Sequence, residues 1–238
     1  LKIVAISDTH GHHRSVDVPD GDVLVHAGDI TMNGEMGVVT DFVDWIASLP
    51  HAHKIVVPGN HDRCFDISQT KYDGRALALF DLRGVHLLVD AARTLEVGSE
   101  KIRVYGAPWV SNLVGWAFWD RNQDKFEHAP RDIDLLVTHG PPLGIRDSSV
   151  LVPDPRSRAA RTASAASTWT CGMGTHFGSR HLARYLNHCP RLKTHVFGHV
   201  HEGYGMEQRG EILFANACTC DRMYKSVNPA LVIEVDGR

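Results

Sequence analysis

A layered, mixed α/β fold is predicted by three features of this 238-residue sequence. Short runs rich in Val, Ile and Leu, bounded by Gly, Pro or Asp, have the pattern of strands. Several of them lack polar alternation, as strands buried on both faces do. Clear helical periodicities are fewer than strands, which argues for central sheets covered by helices and against a simple alternating βαβ array.

The strand-like runs lie at residues 2–7, 22–26, 54–58, 85–89, 102–106, 134–138, 194–198, 211–215 and 231–235. After the second run, Val39, Phe42, Val43 and Ile46 recur at helical spacing. Leu182, Tyr185, Leu186 and Cys189 do the same after Ser179, a residue suited to an N-cap. Residues 156–168 hold Arg, Ala, Ser and Thr without a bulky apolar anchor, so a mobile surface segment or a loosely packed helix is expected there. With no internal repeat and no convincing linker, residues 1–238 read as a single domain.

Composition narrows the function. A net charge of -3 lacks the broad basic field that non-specific nucleic-acid binding needs, so a polynucleotide is a poor candidate substrate. The 5 cysteines are odd in number and follow no finger or disulfide-framework spacing, and read as reduced thiols of a cytoplasmic protein. Cys218 and Cys220, two apart, read as packing residues and not as soft-metal ligands. No apolar stretch approaches the roughly 20 residues needed to span a bilayer, so no membrane partner is expected. The sequence starts at Leu1 and not at Met, which leaves open a trimmed N-terminal segment. No protein partner can be inferred.

Five blocks of metal-binding side chains follow the apolar runs: Ser-Asp-Thr-His at 7–10, Gly-Asp at 28–29, Gly-Asn-His-Asp at 59–62, Thr-His-Gly at 138–140 and Gly-His-Val-His at 198–201. Such loops, converging, suit a pair of divalent ions. In an extended segment residues i and i+2 point the same way, so Asp8 with His10, and His199 with His201, are each expected to reach the centre from one strand end. Asp29 is the expected bridge, because a carboxylate has two oxygens where an imidazole offers one free nitrogen. Asn60 and His139 sit where other strands give way to loops. Nitrogen and oxygen donors without thiolate point to Mn, Fe, Zn or Co, and away from Ca or a Mg-only site. Two divalent ions with two aspartates leave a net positive centre, which suits a phosphate ester.

In this order and over most of the chain, the blocks resemble the calcineurin-like metallophosphoesterase superfamily. Thr-His-Gly-Pro-Pro-Leu-Gly at 138–144 and Phe-Gly-His-Val-His-Glu-Gly-Tyr-Gly at 197–205 resemble its metallophosphoesterase-domain-containing branch, which groups with class III cyclic nucleotide phosphodiesterases. The resemblance implies a four-layer αββα sandwich of two mixed sheets flanked by helices. It also implies one metal on Asp8, His10, Asp29 and His201, and a second on Asp29, Asn60, His139 and His199. The phosphoprotein phosphatases of the superfamily follow Gly-Asp with x-Val-Asp-Arg-Gly, whereas Ile-Thr-Met-Asn-Gly follows Gly28 and Asp29 here. The phosphate-gripping Arg is missing, which favours a diesterase of small molecules.

The expected activity is therefore hydrolysis of a small phosphodiester, most plausibly a cyclic nucleotide, by a metal-bridging hydroxide. Alternatives are a broad-specificity phosphomonoesterase or a nucleotide-binding protein with residual activity. Asn60 would stabilise developing charge, His61 would protonate the leaving oxygen, and Asp62 would orient His61 through a hydrogen bond. Trp109 and Trp116, in an aromatic cluster with Phe118 and Trp119, are candidates to stack a nucleobase, the alternative being a satellite core. His176 is a candidate contact for a substrate phosphate, a capping or core role being the alternative. His12 and His13 are either supports of the metal ligands or solvent-exposed.

Overall fold

A computed structural model describes residues 1–111, 113–149 and 175–235. The expected mobile segment at 156–168 lies outside the described residues. In chain order the strands are β1 Lys2–Ile6, β2 Val23–His26, β3 His53–Val56, β4 His86–Leu87, β5 Ala91–Val97, β6 Glu100–Ala107, β7 Leu135–Thr138, β8 Ser148–Ser149, β9 Thr175–His176, β10 Thr194–Phe197, β11 Gly205–Arg209, β12 Ile212–Asn216 and β13 Leu231–Glu234. The helices are α1 Met36–Ser48, α2 Arg75–Leu82 and α3 Arg180–Leu186.

Two mixed sheets form, in the orders β13-β1-β2-β3-β4 and β11-β12-β10-β7-β6-β5, and β8 and β9 pair separately. The central pairings β1–β2, β2–β3, β6–β7, β7–β10 and β10–β12 are parallel, while β13, β5 and β11 join antiparallel at the edges. In β1, Ile3 and Ala5 face the other sheet, in a core that also holds Val25, Val104, Val137 and Val196. Val4 and Ile6 face the opposite way, into a second core with Phe42 and Ile46 of α1 and Phe80 of α2. A third core packs Leu182 and Tyr185 of α3 against Leu136 and Phe197. The layers therefore run helix, sheet, sheet, helix, and two-sided burial explains why the inner strands read as unbroken apolar runs. Fully burying a residue such as Phe42 contributes about 1.5–3 kcal/mol.

Ser179 caps α3, its hydroxyl accepting the Leu182 N–H at 3.2 Å. Five elements were not foreseen: β5, β11, α2 and the two-residue strands β8 and β9. β5 and β11 are edge strands whose side chains are largely exposed, so neither carries an apolar run. α2 buries only Ala76 and Phe80, too narrow a stripe to mark a helix in sequence. Among the described residues no helix is long and apolar enough to cross a membrane.

Candidate metal centre

The five blocks converge at the carboxyl ends of the parallel strands, where sheets of this kind present ligand-binding groups. Asp8 and His10 follow β1, Asp29 follows β2, Asn60 to Asp62 follow β3, His139 follows β7, and His199 and His201 follow β10. The sheets are stitched together at this end by a parallel bridge between Ser7 and Cys218 and by the Thr219 N–H on the Ser7 carbonyl at 2.8 Å.

The local geometry differs from the extended segments expected from the i, i+2 spacing. Asp8, His10, Asp29 and His199 all have left-handed backbone, with φ of 53°, 44°, 56° and 70°. Such values are uncommon outside glycine, carry a strain cost and cluster at functional sites. The chain therefore turns sharply at these residues, and it is the turn that aims the side chains inward. Gly198 and Gly59 make the close approach possible, because a Cβ on either would collide with the carboxylate of Asp8 or Asp29 respectively.

Hydrogen bonds to the backbone fix the tautomers. A carbonyl only accepts, so His10 donates from Nδ1 to Thr31 (3.3 Å), His139 to Ala27 (2.9 Å) and His201 to Asp221 (2.7 Å). Their Nε2 lone pairs are left facing other acceptors. His10 Nε2 and His201 Nε2 are 3.3 Å apart, with Asp8 Oδ1 3.2 Å from His201 Nε2. His139 Nε2 is 2.9 Å from Asn60 Oδ1 and 3.3 Å from Asp29 Oδ2. Lone pairs gathered at these distances repel unless a cation lies among them, and this donor set fits a divalent metal. Asp8, His10 and His201 form one group able to hold an ion, Asp29, His139 and His199 form another, and His10, Asp29 and His61 form a third that overlaps both.

Asp29 stands between the groups. Its Oδ1 accepts the His61 N–H at 2.8 Å, which turns Oδ2 toward both His139 Nε2, at 3.3 Å, and His10 Nε2, at 3.9 Å. Asp8 is anchored through Oδ2, which accepts from Ser7 Oγ at 2.5 Å, the His199 N–H at 3.0 Å and Cys218 Sγ at 3.1 Å. Cys218 thus supports a carboxylate, and neither it nor Cys220 belongs to any ligand group among the described residues.

Charge repeats the message. Burial opposes ionisation of His139, yet Asp29 beside it holds the imidazolium up at about 9. Burial likewise opposes charge on His201, and the hydrogen bond and charge of Asp8, with the Asp221 carbonyl and Asp29, together outweigh it, again to about 9. His10 and His199, with burial dominant, are driven down to about 4 and about 3. In the metal-free protein a proton on each of His139 and His201 stands where a cation is wanted. A pH prediction follows. Both pKa values are raised from 6.5 to about 9, so their contribution to stability is complete below 6.5 and is lost as pH rises through 9. Melting temperatures of the metal-free protein should fall across that window, and metal loading should remove the fall. Metal uptake at pH 7 should release about two protons, read from the buffer dependence of the binding enthalpy.

Asp62 does not bond to the His61 ring. Burial and the neighbouring Asp29 raise its pKa to about 6, against the pull of the backbone N–H groups of Ile30, Thr31 and Gly59, which it accepts at 3.1, 2.8 and 2.9 Å. It clamps the loop after β2 to the loop after β3. His61 is oriented instead by its Nδ1–H on the Met32 carbonyl at 2.7 Å. The change arises because Asp62 points inward beneath the loop while His61 points out over it.

A cleft of about 490 Å³ opens over the centre, walled by Leu113, Val114, Trp116, Phe177, Val200 and Tyr224, with Ser149 and Glu202 at one side. No Lys or Arg is among its described lining residues. Trp116 is in this wall but Trp109 is not. The Trp109 indole N–H is bonded to Asp90 at 2.7 Å and Lys125 lies 4.4 Å over its ring, so it packs at the sheet end. His176 also lies elsewhere, bonded to Asp147 at 2.8 Å in a separate hollow with Arg180. His13 is buried and paired with Asp41 at 2.9 Å, neither exposed nor behind a metal ligand. Tyr224 went unnoticed in sequence: its ring lies 4.8 Å from that of His10 and 5.5 Å from that of His201, in a loop with no motif to mark it.

A family model described as calcineurin-like phosphoesterase matches residues 1–203. The chain belongs to the calcineurin-like phosphoesterase family. It is 34% identical to human metallophosphoesterase domain-containing protein 1 over 251 residues, covering 98% of this chain and 71% of that protein. It is also 34% identical to a UPF0046 protein of Caenorhabditis elegans, covering 99% and 81% of the two chains. The phosphopantetheinyl hydrolase of Mycobacterium tuberculosis shares the fold at a TM-score of 0.55 and 15% identity, over 94% of this chain and 90% of that one. Members of this family use divalent metals in phosphoester hydrolysis, and the grouped ligands are those that such chemistry needs.

Proposed function

We propose that this calcineurin-like phosphoesterase is a phosphodiesterase of small molecules, with a cyclic nucleotide as its most suitable substrate. Two divalent ions, drawn from Mn, Fe, Zn or Co, would be held by Asp8, His10, Asp29 and His201 and by Asp29, Asn60, His139 and His199. Bound there, they would supply Lewis-acid activation of the phosphate and of the attacking water.

The observation that carries the diesterase reading is the cleft wall. A phosphomonoester is a dianion and is usually gripped by Arg or Lys, yet neither lines the described cleft and Glu202 adds a negative group there. A diester has one charge fewer and a second organic arm, for which Leu113, Val114, Phe177 and Tyr224 offer an apolar wall.

Within this cleft the chain's own groups divide the work. His61, oriented through Nδ1, presents Nε2 as the proton donor to the leaving oxygen. Asp62 fixes the loop that carries Asn60 and His61, so that both hold their places as charge develops. The apolar wall keeps water from the leaving group's side. The test is a turnover comparison of the Mn-loaded protein on a cyclic nucleotide, bis-nitrophenyl phosphate and nitrophenyl phosphate. Diesters should exceed the monoester in kcat/KM by about tenfold or more, the ratio that one ionic discrimination of about 1.4 kcal/mol produces. A monoester turned over faster than both diesters would overturn the reading.

A further inference from the structure

Trp116 touches two groups of the loop that carries His61. Its ring centroid is 4.6 Å from that of His61, at an interplanar angle of 48°. The Arg63 guanidinium carbon lies 4.7 Å over the same indole. Nearby, the Phe118 N–H donates to the Asp66 carboxylate at 2.8 Å in a buried hydrogen bond. The loop after β6 is thereby docked on the loop after β3 at two points.

The other partners of these side chains are few. Arg63 forms no ion pair among the described residues, and its guanidinium has one long hydrogen bond, to Gln69 at 3.4 Å. A ring face is therefore its main partner. Among the described residues His61 has one side-chain hydrogen bond, to the Met32 carbonyl at 2.7 Å. One such bond fixes where Nδ1 points and leaves the ring free to swing about the N–H···O axis. Packing must set that angle. His10 meets His61 edge-on at 4.8 Å, Tyr224 stands off at 6.0 Å, and among the described residues Trp116 is the nearest ring.

We infer that Trp116 is a positioning residue for His61, holding the ring at the angle that aims Nε2 at the leaving oxygen, and that it does not serve as the stacking platform for the substrate's organic arm. With Arg63 over the indole and His61 against it, the ring is engaged by the protein itself. Mispositioning a catalytic group by about 1 Å costs on the order of 10²-fold in rate, so a support of this kind has a measurable effect. The inference rests on the reading of His61 as proton donor.

The experiment uses the Mn-loaded protein with two diesters, one with a nitrophenolate and one with an alkoxide leaving group. Trp116→Ala should lower kcat on the alkyl diester by about 10- to 100-fold, with KM and the nitrophenyl rate little changed. Trp116→Phe, which keeps an aromatic face against both partners, should recover most of the loss. Independently of turnover, the His61 Nδ1–H signal in proton NMR should lose its protection from solvent exchange in Trp116→Ala and keep it in Trp116→Phe. A raised KM for a base-bearing diester at unchanged kcat would overturn the inference and return Trp116 to substrate stacking. Equal losses on both leaving groups would reduce it to a packing residue. If His61→Ala is itself indifferent to the leaving group, the proton-donor reading fails, and the exchange measurement alone decides whether Trp116 holds the ring.

Discussion

Asp29→Ala is expected to empty the centre of metal more completely than removal of any other ligand. The reason lies in one atom. With Oδ1 occupied by the His61 N–H, Oδ2 is the oxygen that faces both His139 and His10. Losing it takes a donor from the group with His139 and His199 and removes the oxygen that faces His10 of the other group. Loss of an outer hydrogen-bonding partner typically costs about 10- to 100-fold in metal affinity, and loss of a shared ligand should exceed that for both ions. Elemental analysis after gel filtration should find the variant largely metal-free, with turnover of a diester abolished. Full occupancy retained in Asp29→Ala would contradict the shared-ligand reading.

His61→Ala should do the reverse, keeping metal and losing rate. The ring is held by the Met32 carbonyl and by packing, and its backbone N–H, which Ala retains, is what supports Asp29. Removing a general acid typically costs about 10²- to 10⁴-fold. That loss should appear in full on an alkyl diester, whose alkoxide needs a proton to depart, and shrink on a nitrophenyl diester, whose phenolate does not. The pair of rates separates proton donation from metal binding, because a lost ligand would slow both substrates alike.

Much of the fold was legible because the inner strands are buried on both faces. Ile3 and Ala5 pack one way and Val4 and Ile6 the other, and such residues must all be apolar, so the strand announces itself. β5 and β11 carry no such constraint. At a sheet edge with exposed side chains, Arg93, Thr94, Gln208 and Arg209 satisfy the ladder as well as Val would, and the pattern is lost. The convergence of the candidate ligands was legible for a related reason. Residues that must converge on one point follow strands that end at one edge, so the blocks recur at the ends of apolar runs.

What sequence could not supply was geometry at the scale of a single torsion. Spacing suggested that Asp8 and His10 share an extended segment, whereas both are left-handed. Asp62 follows His61 directly, yet it turns beneath the loop to three backbone N–H groups, two of them, Ile30 and Thr31, in the loop after β2 that lies there and the third, Gly59, in its own loop. Trp109 and Trp116 are close in sequence and part company because Asp90 captures the indole N–H of the first. Tyr224 comes to the centre from the far end of the chain, carried by the bridge between Ser7 and Cys218, with no local sequence feature to betray it.

The central claim is a two-ion centre built on a shared aspartate, and anomalous diffraction from crystals of the metal-free protein soaked in Mn²⁺ tests it most directly. The account predicts two peaks per chain, one among Asp8, His10 and His201 and one among Asn60, His139 and His199, with Asp29 contributing to both. A single peak, or a second one away from these residues, would contradict it.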